Sequence, residues 1–154
     1  MTRLPPALLA LGLALGAAAC APTLRFNQSY LTAEELKLSD KGFASIKSTG
    51  ETFDLGPIRR AEGKADKIVL LKVHGTYFVA GEGFRHLYRI WPGGDDEAHY
   101  KPVDLEGVPA AGFGSPTLEP AAKCVLFTWT KGSGTEKRYV TTGGDVDAKG
   151  CPDV

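Results

Sequence analysis

Beyond residue 19 the chain has no second apolar run long enough to cross a bilayer, no fixed-period repeat and no heptad pattern. A multi-pass membrane protein, a solenoid and a coiled coil are therefore excluded for that part. There is no excess of charge either, with Lys plus Arg and Asp plus Glu at 18 each, so no overall field steers the protein toward nucleic acid or anionic lipid. Histidine is sparse: His74, His86 and His99 show no H-x-x-x-H spacing, so no metal site and no cofactor is expected. Ser115 and Ser133 sit in Gly-rich turns and do not reproduce G-x-S-x-G on a strand-to-helix elbow. Asp145-Val146-Asp147-Ala148-Lys149-Gly150 opens like a calcium loop, but Lys149 stands where an oxygen ligand is needed. Asp95-Asp96-Glu97 near His99 reads as a solvated turn, and "GEGFRH" joins two strands rather than opening a phosphate-binding helix.

What is present begins with residues 1–19. Met1-Thr2-Arg3 carries one positive charge, and Ala7 to Ala19 are all Ala, Leu or Gly. A basic start, a short apolar core and small residues are the layout of a secretory signal. A membrane-spanning helix needs roughly 20 apolar residues, and Pro5-Pro6 cut this run short. Ala17-Ala18-Ala19 also satisfies the small-x-small rule for ordinary cleavage, which would release a protein beginning with Cys20.

Small residues directly before Cys20, with Leu15 upstream, resemble the lipobox of bacterial lipoproteins. The resemblance implies that Cys20 is acylated and becomes the first mature residue. Ala21 in place of Asp implies an outer-membrane address in a Gram-negative cell, on the periplasmic side. There are three cysteines. If Cys20 carries lipid, Cys124 and Cys151 remain as a pair free to oxidise outside the cytoplasm; the alternative is two unpaired thiols. Acyl chains suit a stable anchor, since each buried methylene contributes about 0.8 kcal/mol.

The expected organisation is a leader at 1–19, a tether at 20–30 and one β-rich domain at 31–154, within a mature chain of 135 residues, 154 less 19. Thr32 as N-cap, Glu35 three residues on and Leu31 against Leu36 predict a short N-terminal helix ending by Asp40. Phe43 to Thr49 and Thr52 to Leu55 read as short strands. "KIVLLKVHGTYFVA" reads as one long strand, bulged at Gly75, with Val69, Leu71, Val73, Tyr77 and Val79 inward and Lys72, His74 and Thr76 outward. A turn at Ala80 to Gly83 would set Val79 opposite Phe84, Tyr77 opposite His86, Gly75 opposite Tyr88 and Val73 opposite Ile90. "PGGDDE" breaks the sheet, and His99 to Pro120 reads as irregular, with "AAGFGSP" exposed. A last hairpin joins "KCVLFTWT" to "EKRYVTT" through "KGSGT", with Val125, Phe127 and Trp129 on one face and Phe127 opposite Tyr139. The fold expected is mainly β, a small antiparallel sandwich or barrel with one short N-terminal helix.

One surface patch is a candidate site. Lys72, His74, Arg85, Arg89 and Trp91 would project from one face, and Arg and aromatic side chains suit a partner protein or an anionic wall polymer. The bland reading is a solvated basic face. With no nucleophile, base or metal set, the expectation is a non-enzymatic envelope module that binds another envelope protein or wall polymer. Small β lipoproteins with one disulfide are also similar in outline to periplasmic lysozyme inhibitors, and "SGTEKRYV" carries that family's Ser-Gly and Tyr elements.

Overall fold

"EELKL", expected to be helical, is a strand. The computed structural model describes residues 32–152 apart from 47, 49, 51, 95 and 96. The expected leader at 1–19, Cys20, the expected tether at 20–30, Leu31, Asp95 and Asp96 lie outside the described residues. Strand β1 (Glu34–Leu38) buries Leu36 and half-buries Leu38 while Glu35 and Lys37 face solvent, a period of two. It is too short to hold a helix by itself, and pairing along β4 overrides the local capping signature. Strands β2 (Phe43–Ser45) and β3 (Thr52–Asp54) follow, each shorter than expected.

The single helix among the described residues is α1 (Gly56–Glu62). Its signals are orthodox: Pro57 in the first turn, Arg59 and Arg60 in the last and Gly63 just beyond. The Asp54 carboxylate accepts the Gly56 N–H at 2.7 Å. Ile58 is buried, and the Arg59 guanidinium donates to the backbone oxygens of Ser39 and Asp40, tying the helix to the β1–β2 turn.

The long apolar run is a hairpin, β4 (Ile68–Val73) and β5 (Thr76–Gly81), and Gly75 is in the turn instead of a bulge. His74 and Gly75 have φ of 44° and 79°, the two positive values that a type I′ turn requires, so His-Gly does here what Asn-Gly usually does. After a loop, β6 (Leu87–Pro92) pairs Tyr77 with Ile90, Phe78 with Arg89 and Val79 with Tyr88, replacing the expected register. Strand β7 (Ala98–Val103) completes a curled antiparallel sheet, a half-barrel with strands in the order β3-β2-β1-β4-β5-β6-β7. "PGGDDE" thus joins β6 to β7 within one sheet.

The second sheet has the order β11-β10-β9-β8, from β8 (Gly114–Ala121), β9 (Cys124–Lys131), β10 (Gly134–Thr141) and β11 (Val146–Asp147). The stretch expected to be irregular contains two edge strands. Pro102 lies on β7, and Pro116 and Pro120 lie on β8, where a register shift follows Gly114. Gly132-Ser133 form a two-residue turn, so Phe127 pairs with Arg138 and Tyr139 with Leu126. This differs from the expected register by one and puts Tyr139 on the other face. Val125, Phe127 and Trp129 are buried as expected.

The sheets meet where β8 lies against β4 and β5. All residues of β4 and β5 are buried, so the hairpin is covered on both faces. Phe113, within the stretch expected to be exposed, is buried with its ring 4.8 Å from Phe127 and 5.4 Å from Trp129. Its backbone N–H donates to Phe84 O at 2.8 Å, and its carbonyl accepts the Gly83 N–H at 2.9 Å. Beside it Gly112 has φ of 82°, and a Cβ there would come within 2.2 Å of the Gly83 carbonyl oxygen. Gly112→Ala is expected to cost about 2–3 kcal/mol in urea unfolding, because backbone cannot swing aside as a side chain can.

Candidate functional site

The C-terminal end of α1 delivers Glu62 to the β5–β6 loop. Its side chain is only 1% exposed, whereas that of His86 is 42% exposed. The carboxylate accepts three hydrogen bonds: from the Arg85 backbone N–H at 2.7 Å, His86 Nδ1 at 2.5 Å and the Tyr88 hydroxyl at 2.8 Å. One buried carboxylate therefore fixes α1, the loop and β6 to one another.

Burial pushes the Glu62 carboxyl up, but the hydrogen bonds from Arg85, His86 and Tyr88 and the imidazole's charge together hold it below its ordinary value. Burial and the carboxylate beside it raise the Tyr88 hydroxyl far above the usual phenol range. Because the folded value of Glu62 lies below the unfolded one, its contribution to stability is complete above the ordinary value of 4.5. It is lost as pH falls from there through the folded value. Glu62→Gln is expected to cost about 1–2 kcal/mol at neutral pH and to flatten this acid limb. Urea unfolding of both proteins at neutral pH and about pH 3 measures it, and an unchanged difference between the two pH values would assign the acid sensitivity elsewhere.

His86 lines an open cleft of about 530 Å³ between two loops. Arg85 and His86 form one side, and Asp104, Leu105, Glu106 and the 108–110 segment form the other. With Nδ1 committed to Glu62, Nε2 is the nitrogen left for a ligand. A carboxylate-oriented imidazole is half of a nucleophilic device, but none of the residues lining the cleft is Ser, Thr or Cys. A smaller hollow of about 250 Å³ lies between β1 and α1, lined by Lys37, Asp40, Arg59 and Lys64 among others.

The five residues of the expected patch do not form one exposed row. The His74-Gly75 turn reverses the chain, so Lys72, opposite Tyr77 and in line with Ile90, is on one sheet face. Arg89, opposite Phe78, is on the other. Lys72, expected outward, is fully buried with its ammonium 4.7 Å from the Tyr77 ring centroid. Thr76, also expected outward, is buried too. Arg89 is buried, donates to the Thr142 carbonyl and lies 5.1 Å from the Trp91 ring. Burial lowers its pKa, and Asp145 opposes that. Trp91 is half-buried against His99, ring centroids 5.5 Å apart. His74 is exposed at its turn, 3.3 Å from the Ala122 carbonyl. Arg85 alone of the five lines the cleft.

Glu62 and Tyr88 escaped the sequence reading, since each meets its partners across more than 20 residues. Pro57 and Gly63 could have located α1, but nothing local marks Glu62 as a buried acceptor. Among the described residues no group of three or more His, Cys, Asp or Glu side chains is placed to hold a metal ion, and no helix is long and apolar enough to cross a membrane. Cys124, at the start of β9, and Cys151, after β11, are bonded, with S–S 2.04 Å and Cα atoms 5.7 Å apart. In comparisons with known proteins, no family model, no curated protein and no solved structure matches the chain.

Proposed function

We propose that this is an exported, non-enzymatic binding module of the cell envelope. More particularly, it is a lipoprotein acylated at Cys20, held on the periplasmic side of the outer membrane and contacting another envelope protein or wall polymer. The observation that carries the reading is the Cys124–Cys151 bond. Stable disulfides belong to oxidising compartments, and this one accounts for two of the three cysteines. The third is Cys20, at the end of an apolar leader, where the lipobox-like pattern places an acylated residue.

The intact mass of unreduced protein from the native host's membranes tests this. The expected mass is that of the chain from Cys20, raised by acyl chains and lowered by two hydrogens. An unacylated species in the soluble fraction would overturn the anchor. In a lysozyme turbidity assay, micromolar protein is expected to leave lysis unchanged; loss of lysis would move the reading to a hydrolase inhibitor, with the exposed Gly132-Ser133-Gly134 hairpin end as the first segment to mutate.

A further inference from the structure

We propose that the cleft between the β5–β6 loop and the β7–β8 loop binds a small zwitterion, a molecule carrying a carboxylate and an ammonium group, such as a dipeptide. The inference rests on the reading as a binding module but not on the lipid anchor. Three features support it.

The first is charge placed by side. Arg85 and His86 offer cationic or donor groups from one loop, and Asp104 and Glu106 offer acceptors from the other, where Leu105 and Val108 also line the cleft. A polyanion would meet the two carboxylates and a polycation would meet Arg85, whereas a zwitterion satisfies both sides and leaves small apolar substituents on Leu105 and Val108.

The second is that the Arg85–His86 wall is held in place before a ligand arrives and the opposite loop is anchored at its C-terminal end. Glu62, nearly inaccessible to solvent, accepts from the Arg85 backbone and from His86 Nδ1, so the half-exposed imidazole is oriented by a group that does not itself reach the cleft. The opposite loop is tied back to the first by the Gly83–Phe113 and Phe113–Phe84 backbone hydrogen bonds, with Gly112 in close approach to Gly83. Preset walls reduce the ordering cost that weakens binding at most surface grooves.

The third is size. About 530 Å³ falls in the range of small-molecule sites and accommodates a dipeptide.

The test is an amide NMR titration of the full chain with alanyl-alanine, compared with N-acetyl-alanyl-alanine, which lacks the ammonium, and alanyl-alanine amide, which lacks the carboxylate. Saturable shifts are expected at Arg85, His86 and the 104–110 loop, with each blocked dipeptide weaker by about tenfold or more. Arg85→Gln is expected to remove the discrimination against the amide, and the Asp104→Asn, Glu106→Gln double variant the discrimination against the acetylated form. These side chains are exposed or at the cleft surface, so the remaining spectrum reports that the fold is retained. No shift up to about 20 mM dipeptide, or equal binding of either blocked form, overturns the proposal. That failure would leave the anchor untouched, and an unacylated mass would leave the cleft untouched.

Discussion

Trp129→Ala is expected to lower the unfolding free energy by about 3–5 kcal/mol, a fall in Tm of the order of 10–20 °C. Trp129 is fully buried on the inner face of β9, 5.1 Å from the Phe127 ring and 5.4 Å from that of Phe113. Arg138 lies 5.6 Å from its ring centroid and is ion-paired to Glu136, so the removed volume lies between two phenylalanine rings and a charged lid. Neither neighbour can collapse into the space without breaking other contacts. The indole N–H meets no hydrogen-bond acceptor among the described residues. Trp129→Phe therefore removes an unpaired donor along with part of the ring, and its expected cost is below about 1.5 kcal/mol. Urea unfolding of the two variants decides the point: equal large losses would show that the indole nitrogen is needed, against the packing account.

Removing the Cys124–Cys151 bond is expected to have the next largest effect. The bond closes a separation of 27 residues, worth about 3.5 kcal/mol if its effect is to restrict the unfolded chain. It also fastens the segment after β11 to the start of β9, and β11 itself pairs with β10 through only two residue pairs among the described residues. Replacing both cysteines by Ala should lower the urea midpoint, and adding reductant should lower that of the unmodified chain by a similar amount. Reductant should leave the double variant unmoved. A small shift in both cases would mean that the tail is held by packing and that the bond marks compartment more than stability.

The fold class was legible because period-two alternation, Gly-rich turns and β-branched runs are local properties of strands. β9 illustrates this: Val125, Phe127 and Trp129 point inward whatever lies opposite. Register was less legible, since a turn shorter than the one expected moved Tyr139 to the other face. The helix was misplaced because Thr32 and Glu35 satisfy a capping pattern that local geometry permits, while β4 offers a whole edge of backbone donors and acceptors to Glu34, Glu35 and Leu36. The candidate patch dissolved for a related reason. Reading one strand where the chain makes a hairpin placed Lys72 and Arg89 on a common face, although the His74-Gly75 turn puts them on opposite ones.

By itself the sequence determined a β-rich chain, because alternation and turn composition are written in neighbouring residues. Only the tertiary structure decided that β4 and β5 are covered on both faces and that Phe113 is core. It alone brought Glu62 to Tyr88 and to His86, which lines a cleft. Those outcomes depend on which surfaces meet after strands have paired. Burial and hydrogen-bond satisfaction are settled between residues far apart in the chain, where no local pattern records the partner.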